Sequence, residues 1–555
     1  MTDTKNIVIA ATLSLLVIFT WELFFGAKPT TQAIDDKIVA PTVDSKEIND
    51  ISVAQNNISA DKQEIEIVAE QINFDNSKIS GEINLRGLRL NELTLKNYDQ
   101  NKASSEKVKL LSTGDSPYFI ELGYLANNVE TPDKSSIWKK LSSGDLSPDN
   151  PLVVRWDARD GKFSIIREIS LDDNYLFTFK DTLKNNSETA LDLYKYGIIN
   201  KTQNDFGANF FILHEGPVGV FSDELVEVKY KKMLKEQQRT IESYGGWNGI
   251  SDKYWLTAFF PDTDLKLTYR FSGYSKNNNN KFQSDFQTEQ FTLYPLKELT
   301  MFTEIFAGAK EVELIDQYAE KYDIALFDRS IDFGILYFLT KPIYLILKYL
   351  NGIFNNFGLA IIALTILIRI LLFPLASKSF REISKMKKVQ PEIIKIREAH
   401  KDDRMRINRE VMKLYQKYSI RPMMGCLPVI AQGFVFFALY KVLFVTIDMR
   451  HAEFFGWIND LTAPDPTNLF NLFGLLPLEL ETPFGAWPCI LAGTMIIQQR
   501  LNPTPADPMQ AKMMKLLPYL FLFLFAGFPS GLVIYWTFNN AFSIAQQYYI
   551  MKKYS

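Results

Sequence analysis

Two cysteines and three histidines are all that 555 residues supply. Cys426 and Cys489 both lie in apolar segments, which excludes a disulfide framework and a thiolate zinc site, since each needs more thiols at other spacings. His214, His400 and His451 stand far apart along the chain. Metal chemistry is therefore not expected, and His214 reads as a structural or surface histidine rather than a catalytic one. The membrane half has no H-E-x-x-H, G-x-S-x-G or Walker pattern, so neither an enzyme nor a cofactor is expected. Uniform hydropathy is also missing. Hydrophobic residues make up 47% and aromatics 14%, yet a mean hydropathy of −0.07 is too low for membrane helix throughout. A soluble part and a membrane part must share the chain.

Ile7 to Phe25 is apolar enough to span a bilayer, and no small-x-small cleavage site follows in GAKPTTQA; this reads as an uncleaved transmembrane anchor over 1–26. Residues 27–60 are polar and poor in aromatics, a flexible tether. Alternation then governs 61–330. GEINLRGLRLNELTLKNY (81–98) alternates at Ile83 and Leu85, shifts phase across Arg86-Gly87 and resumes at Leu88 and Leu90, predicting a bulge or bend. YLFTFKDTL (175–183) and LKLTYRFSGY (265–274) alternate likewise, and NNNN (277–280) marks a turn. Many short strands predict a large β-sandwich, closed by a helix within 310–327.

Residues 331–354 hold an apolar run with Lys341, Lys348 and Pro342, predicting an amphipathic interfacial helix broken at the proline. Five spans are expected beyond it: 357–376 (within a 355–376 segment), then 424–445, 484–500, 515–529 and 531–550 within 423–550. Between the first two, segment 377–422 has fourteen Lys and Arg against six Asp and Glu, a net +8. The loop 446–483 has six acids against Arg450, a net −5. The positive-inside rule puts 377–422 and the basic tail 551–555 in the cytoplasm and 446–483 outside. Six spans with both termini cytoplasmic and the β-domain outside follow.

Arg369 sits within the apolar run from Phe357 to Ala376 with no acidic residue beside it. Two readings fit: it snorkels to headgroups, or it faces a watered cavity inside the bundle. Thr365 lies one turn back on the same face; Gln432, Asn539, Asn540, Gln546 and Gln547 could line one polar recess with it. The basic segment reads as two helices, 378–400 and 404–418. A thin seam of Ile383, Met386, Ile393 and Ile396 against Val411, Leu414 and Tyr415 would join them. Its charge either sets topology alone or forms a docking surface for ribosomal RNA or lipid headgroups through Lys385, Lys387, Lys388, Lys395, Arg397, Arg404, Arg406 and Arg409. At GFPSGL (527–532) almost no loop remains, and the apolar stretch Leu516–Phe528 is short for a bilayer, implying local thinning or burial against protein.

GLAIIALTILIRILLFPL (358–375), GCLPVIAQGFVFFALY (425–440), DPMQAKMMKLLPYLFLFLF (507–525) and FPSGLVIYWTFNNAFSIAQQ (528–547) resemble, in this order, the YidC/Oxa/Alb family of membrane protein insertases. The resemblance covers 333–550; the anchor, tether and GEINLRGLRLNELTLKNY stretch extend it to the Gram-negative form. It implies a polytopic α-helical membrane bundle, an N-terminal anchor plus five core helices. A large periplasmic β-supersandwich and a cytoplasmic helical hairpin complete it, in the cell inner membrane. It further implies a cytoplasm-facing hydrophilic groove in which Arg369 is the family's positive residue and Gln432 its glutamine. Tyr535-Trp536 stands where the family often has Tyr-Tyr, and Gly433-Phe434 where a proline often follows the glutamine. Partners implied are nascent membrane proteins, the Sec translocon, the lipid bilayer and the ribosome through the hairpin and tail; DNA is not one. The sandwich is expected to serve in interactions or as a spacer, not in sugar chemistry.

Two rival functions remain at this stage. A small-anion or solute transporter would use Arg369 as its substrate site, but no internal repeat of the Arg-bearing helix occurs in the later spans. A membrane-anchored carbohydrate-active enzyme would need an acid/base cluster, and none is evident.

Overall fold

The computed structural model describes residues 70–102, 105–204, 206, 213–276, 279–400, 403–469, 484–502 and 508–554. The expected anchor (1–26), the tether (27–60) and most of the apolar stretch 467–485 lie outside the described residues. The chain divides into Met1–Glu70 and Gln71–Ser555; the second unit holds everything below.

Alternation becomes two antiparallel sheets. One has ten strands, running in space from Gln71–Asp75 through Ile79–Asn84, Leu90–Asp99, Tyr118–Ala126, Leu191–Thr202, Asn279–Thr288 and Lys266–Lys276 to Gln238–Tyr244. The other has nine, from Glu224–Glu227 to Lys139–Lys140, with Glu298–Ala309 and Leu176–Asn185 at its middle. Inward residues of both sheets, among them Phe74, Phe177, Phe259 and Phe286, form one aromatic-rich core. The phase shift near Gly87 resolves into two features. The register slips between Glu82 and Ile83, and Gly87-Leu88 turns the chain with both φ angles positive, 72° and 49°.

Charge is also buried here. Arg167 and Asp181, 1% and 0% exposed, form a bidentate pair at 2.6 and 2.9 Å. Arg167 Nη1 donates to the Leu122 carbonyl, and the Tyr124 hydroxyl donates to Asp181. Burial opposes the charge on Asp181, but the guanidinium outweighs it and holds the carboxyl below the usual range. His214 lacks such a partner for its Nε2; burial pushes its pKa down to about 4, so it is neutral and structural.

Ten helices are described: α1 (Tyr230–Glu236), α2 (Val312–Lys321), α3 (Tyr337–Phe354), α4 (Phe357–Leu371), α5 (Phe373–Ala399), α6 (Arg404–Lys417), α7 (Pro422–Val445), α8 (Ala486–Leu501), α9 (Pro508–Ala526) and α10 (Ser530–Tyr554). Helix α3 runs unbroken through Pro342, correcting the expected break. The ring lies on the exposed face, so only the bond to the Phe338 carbonyl is forfeited. The span expected over 357–376 ends at Leu371. Pro374 in the first turn of α5 removes a donor and crowds the carbonyl four residues back, and α5 leaves α4 at 67°. Helix α9 begins seven residues before the expected 515, because the helical backbone extends through the polar positions Gln510 and Lys512, and it stops at Ala526. Among the described residues no single helix is both long and apolar enough to cross a bilayer; α4 and α5 pass only as a bent pair.

Helix α10 packs on α8, α4 and α5, and α3 packs on α4 and α7. Phe454, from the segment after α7, fills the space beside Gly358, where a Cβ would fall 2.0 Å from its ring. Asp465 accepts the Trp487 amide at 2.8 Å and Thr467 Oγ1 accepts that of Ala486 at 2.8 Å, capping α8 from a distance.

The sandwich sits on one end of the bundle through ion pairs: Lys341 to Asp316 at 2.8 Å, Lys348 to Glu313 at 3.0 Å and Lys441 to Asp332 at 3.0 Å. Arg450 adds bonds to the Asp99 and Gln100 carbonyls at 2.5 and 3.0 Å. The two lysines of α3 therefore face acids of the protein. Along the neighbouring face runs an exposed apolar stripe of Phe338, Leu345, Tyr349 and Ile353.

Candidate functional site

Arg369 is the last-turn residue of α4 and is half-buried against α10. Its Nε donates to Asn539 Oδ1 at 2.9 Å and its Nη2 to the Asn539 carbonyl at 3.0 Å. Both partners are neutral. Among the described residues no carboxylate lies within ion-pair distance of the guanidinium. Of its five N–H donors, two are engaged by the described residues.

Spacing on α10 sorts the other polar residues. Tyr535, Asn539 and Gln546 follow at i, i+4 and i+11, one face of a helix. Gln432 on α7 donates to the Tyr535 hydroxyl, which joins α7 to this face. Gln546 lies further along it with its Nε2 buried and unpartnered. Asn540, Ser543 and Gln547 occupy the neighbouring face and turn to α8 and its end: Asn540 to Thr494 at 3.3 Å, Gln498 to Ser543 at 3.2 Å, Gln547 to Asn502 at 2.9 Å. The single recess expected from sequence is thus two polar rows, because adjacent residues on a helix point about 100° apart. Trp536 packs among Phe436, Phe521 and Phe525. Thr365 is buried and its hydroxyl donates back to the Ile361 carbonyl at 2.7 Å, leaving no hydroxyl donor for the Arg369 side.

The basic helices fold back on each other: Tyr418 donates to Glu392 at 2.8 Å and the Arg421 amide to Glu382 at 2.9 Å. Their seam is Val389, Ile393, Leu414 and Ile420 with Met386, Ile396, Val411 and Tyr415. Ile383 does not join it, correcting the expected seam. It packs with Ala376, Phe380 and Ile550 because the first turns of α5 still lie along α10. Lys385 pairs with Glu382 at 2.7 Å; Lys387, Lys388, Lys395, Arg406 and Arg409 are exposed, and Arg397 is half-buried. The Arg404 side chain lies outside the described ones.

Two family models match, and between them they account for nearly all of this unit. "YidC periplasmic domain" matches residues 71–346 and "60Kd inner membrane protein" matches 349–555. The chain belongs to the YidC family of membrane protein insertases. The membrane protein insertase YidC of Rickettsia africae (strain ESF-5) is 41% identical over 556 residues, 99% of each chain. That of Rickettsia bellii (strain OSU 85-389) is 41% identical over 559 residues, 99% of this chain and 98% of its own. A crystal structure described as active YidC insertase with its first transmembrane domain resolved is 16% identical, with a TM-score of 0.35, covering 91% of this chain and 99% of that one. Membership in the YidC family brings an inner-membrane protein whose antiparallel β-sheets form its periplasmic domain, and a non-enzymatic role. It sets aside the transporter and carbohydrate-enzyme readings.

The sequence pointed to no role for Lys341, Lys348, Lys441 and Arg450 in docking the sandwich. Their partners lie up to 351 positions away, and no local pattern signals such pairs.

Proposed function

We propose that this chain inserts nascent membrane proteins into the inner membrane and helps them fold, alone or beside the Sec translocon, through a polar groove centred on Arg369. The observation that carries the reading is the hydrogen-bonding capacity that Arg369 keeps unspent among the described residues, with no carboxylate of theirs beside it. A hydrophilic segment cannot cross about 30 Å of hydrocarbon unaided. A watered recess open to the cytoplasm, in a bilayer thinned around short helices, shortens that path. Arg369 attracts acidic residues of the segment, while Gln432, Tyr535, Asn539 and Gln546 offer neutral polar contacts. The apolar part of the client then moves into lipid, and its burial drives release. No nucleotide is required.

In this arrangement both termini and the α5–α6 pair are cytoplasmic, the pair serving as a docking surface for anionic partners, ribosomal RNA or lipid headgroups, and α3 lies in the outer interface on its apolar stripe. The test is Arg369→Glu assayed with clients whose translocated segments are acidic or neutral. Insertion of the acidic clients should fall selectively. Equal insertion of both classes by the variant would sink the groove-charge reading.

A further inference from the structure

Helix α6 has an outer face that the hairpin's internal packing does not use. Leu414 is buried against α5, with Val411 and Tyr415 half-buried beside it. On the opposite side Met405 is 79% exposed and Met412 51% exposed. They stand at i and i+7, with exposed Arg406, Arg409, Lys413 and Lys417 around them. The one acid of this helix, Glu410, is already paired with Lys413 at 2.8 Å. A helix face that combines bases with apolar side chains and no free acid has the chemistry of an interfacial helix.

The path of the chain narrows the choice of partner. Helix α5 leaves α4 at 67°, so if α4 runs near the bilayer normal, α5 lies within about 23° of the membrane plane. The hairpin then runs along the surface instead of standing out from it. An RNA surface would engage the bases but leaves the two methionines unaccounted for. A lipid surface uses both, with thioether chains in the headgroup–acyl boundary and bases at anionic phosphates.

We propose that the outer face of α6, through Met405, Met412, Arg406 and Arg409, rests on the anionic lipid of the leaflet at the end of the bundle away from the sandwich. The inference rests on the proposed cytoplasmic placement of the hairpin, but it makes no use of insertion activity. Its readout therefore fails or succeeds separately from the groove assay.

The test uses the full chain in proteoliposomes, with Cys426 and Cys489 replaced by serine. An environment-sensitive fluorophore is placed at Met405→Cys or Met412→Cys, and at Lys387→Cys on α5 as a reference. In vesicles of phosphatidylcholine with phosphatidylglycerol, both α6 probes should be blue-shifted and quenched by lipid-borne quenchers. The Lys387 probe should be quenched less. In pure phosphatidylcholine the effect should weaken, since each base adds about a fivefold gain at an anionic surface. Arg406→Gln with Arg409→Gln should weaken it in anionic vesicles alone. Water-like emission from both α6 probes in every vesicle overturns the proposal. Protection of the α6 probes by added ribosomes but not by lipid quenchers also overturns it and assigns the face to RNA. Helical circular dichroism of each variant guards against misfolding.

Discussion

Two arginines, one in each half of the molecule, show two ways of holding a guanidinium inside a fold. In the sandwich, Arg167 has a bidentate carboxylate, a carbonyl, and the rings of Trp138 and Phe179 at 5.2 and 5.5 Å. In the bundle, Arg369 has, among the described residues, Asn539 as its hydrogen-bond partner. A fully paired charge holds a fold in register but has nothing left to offer a ligand. A charge held only by neutral dipoles keeps most of its field for a visitor. The contrast predicts that substitutions at the first site damage stability and those at the second damage function.

The largest effect should come from breaking the sandwich pair. Asp181→Ala leaves a buried guanidinium uncompensated and should cost about 3–5 kcal/mol in urea unfolding of the full chain. Arg369→Ala removes bonds to neutral groups only and should cost about 1–2 kcal/mol, while insertion of clients with acidic segments falls. Equal destabilisation by the two would erase the contrast.

His214 extends it to a buried base without an ion pair. Burial holds it neutral in the fold, with a pKa of about 4, against about 6.5 when unfolded. Protons therefore bind the unfolded chain first. About 3 kcal/mol of stability should disappear as pH falls from about 6.5 through about 4. His214→Gln should flatten that window of the pH–stability profile relative to the parent.

Giving Arg369 the partner that Arg167 has should convert one kind of site into the other. Asn539→Asp is expected to slow insertion of clients with acidic segments about tenfold, equivalent to about 1.4 kcal/mol of lost attraction, with stability unchanged or raised. An undiminished rate would mean that Arg369 does not act by its field. The smallest effect belongs to the solvated pair Lys413–Glu410: Lys413→Ala should leave the midpoint of urea unfolding unchanged.

Period-two alternation made the sandwich legible, because one face of each strand must be buried. Arg369 stood out in sequence because charge is rare in apolar helices. Other features needed three dimensions. The division of Asn539 from Asn540 depends on which neighbours flank α10. Ile383 reads as part of a hairpin seam until α10 brings Ile550 beside it. The bend at Pro374 is not expected from sequence, because the apolar run continues past the proline to Ala376. Lys341 and Lys348 look like headgroup anchors until α2 supplies their acids.

The bend between α4 and α5 also has a mechanical side. Helix α5 is 27 residues long, a lever of about 40 Å, packed through its first turns against α10 and also against α7. One degree of opening at Leu372 moves the far end by about 0.7 Å, so a five-degree adjustment, small for a helix joint, sweeps the hairpin tip by about the width of a peptide unit. By this geometry a change of angle that is slight inside the bundle is a displacement of several ångströms at its rim.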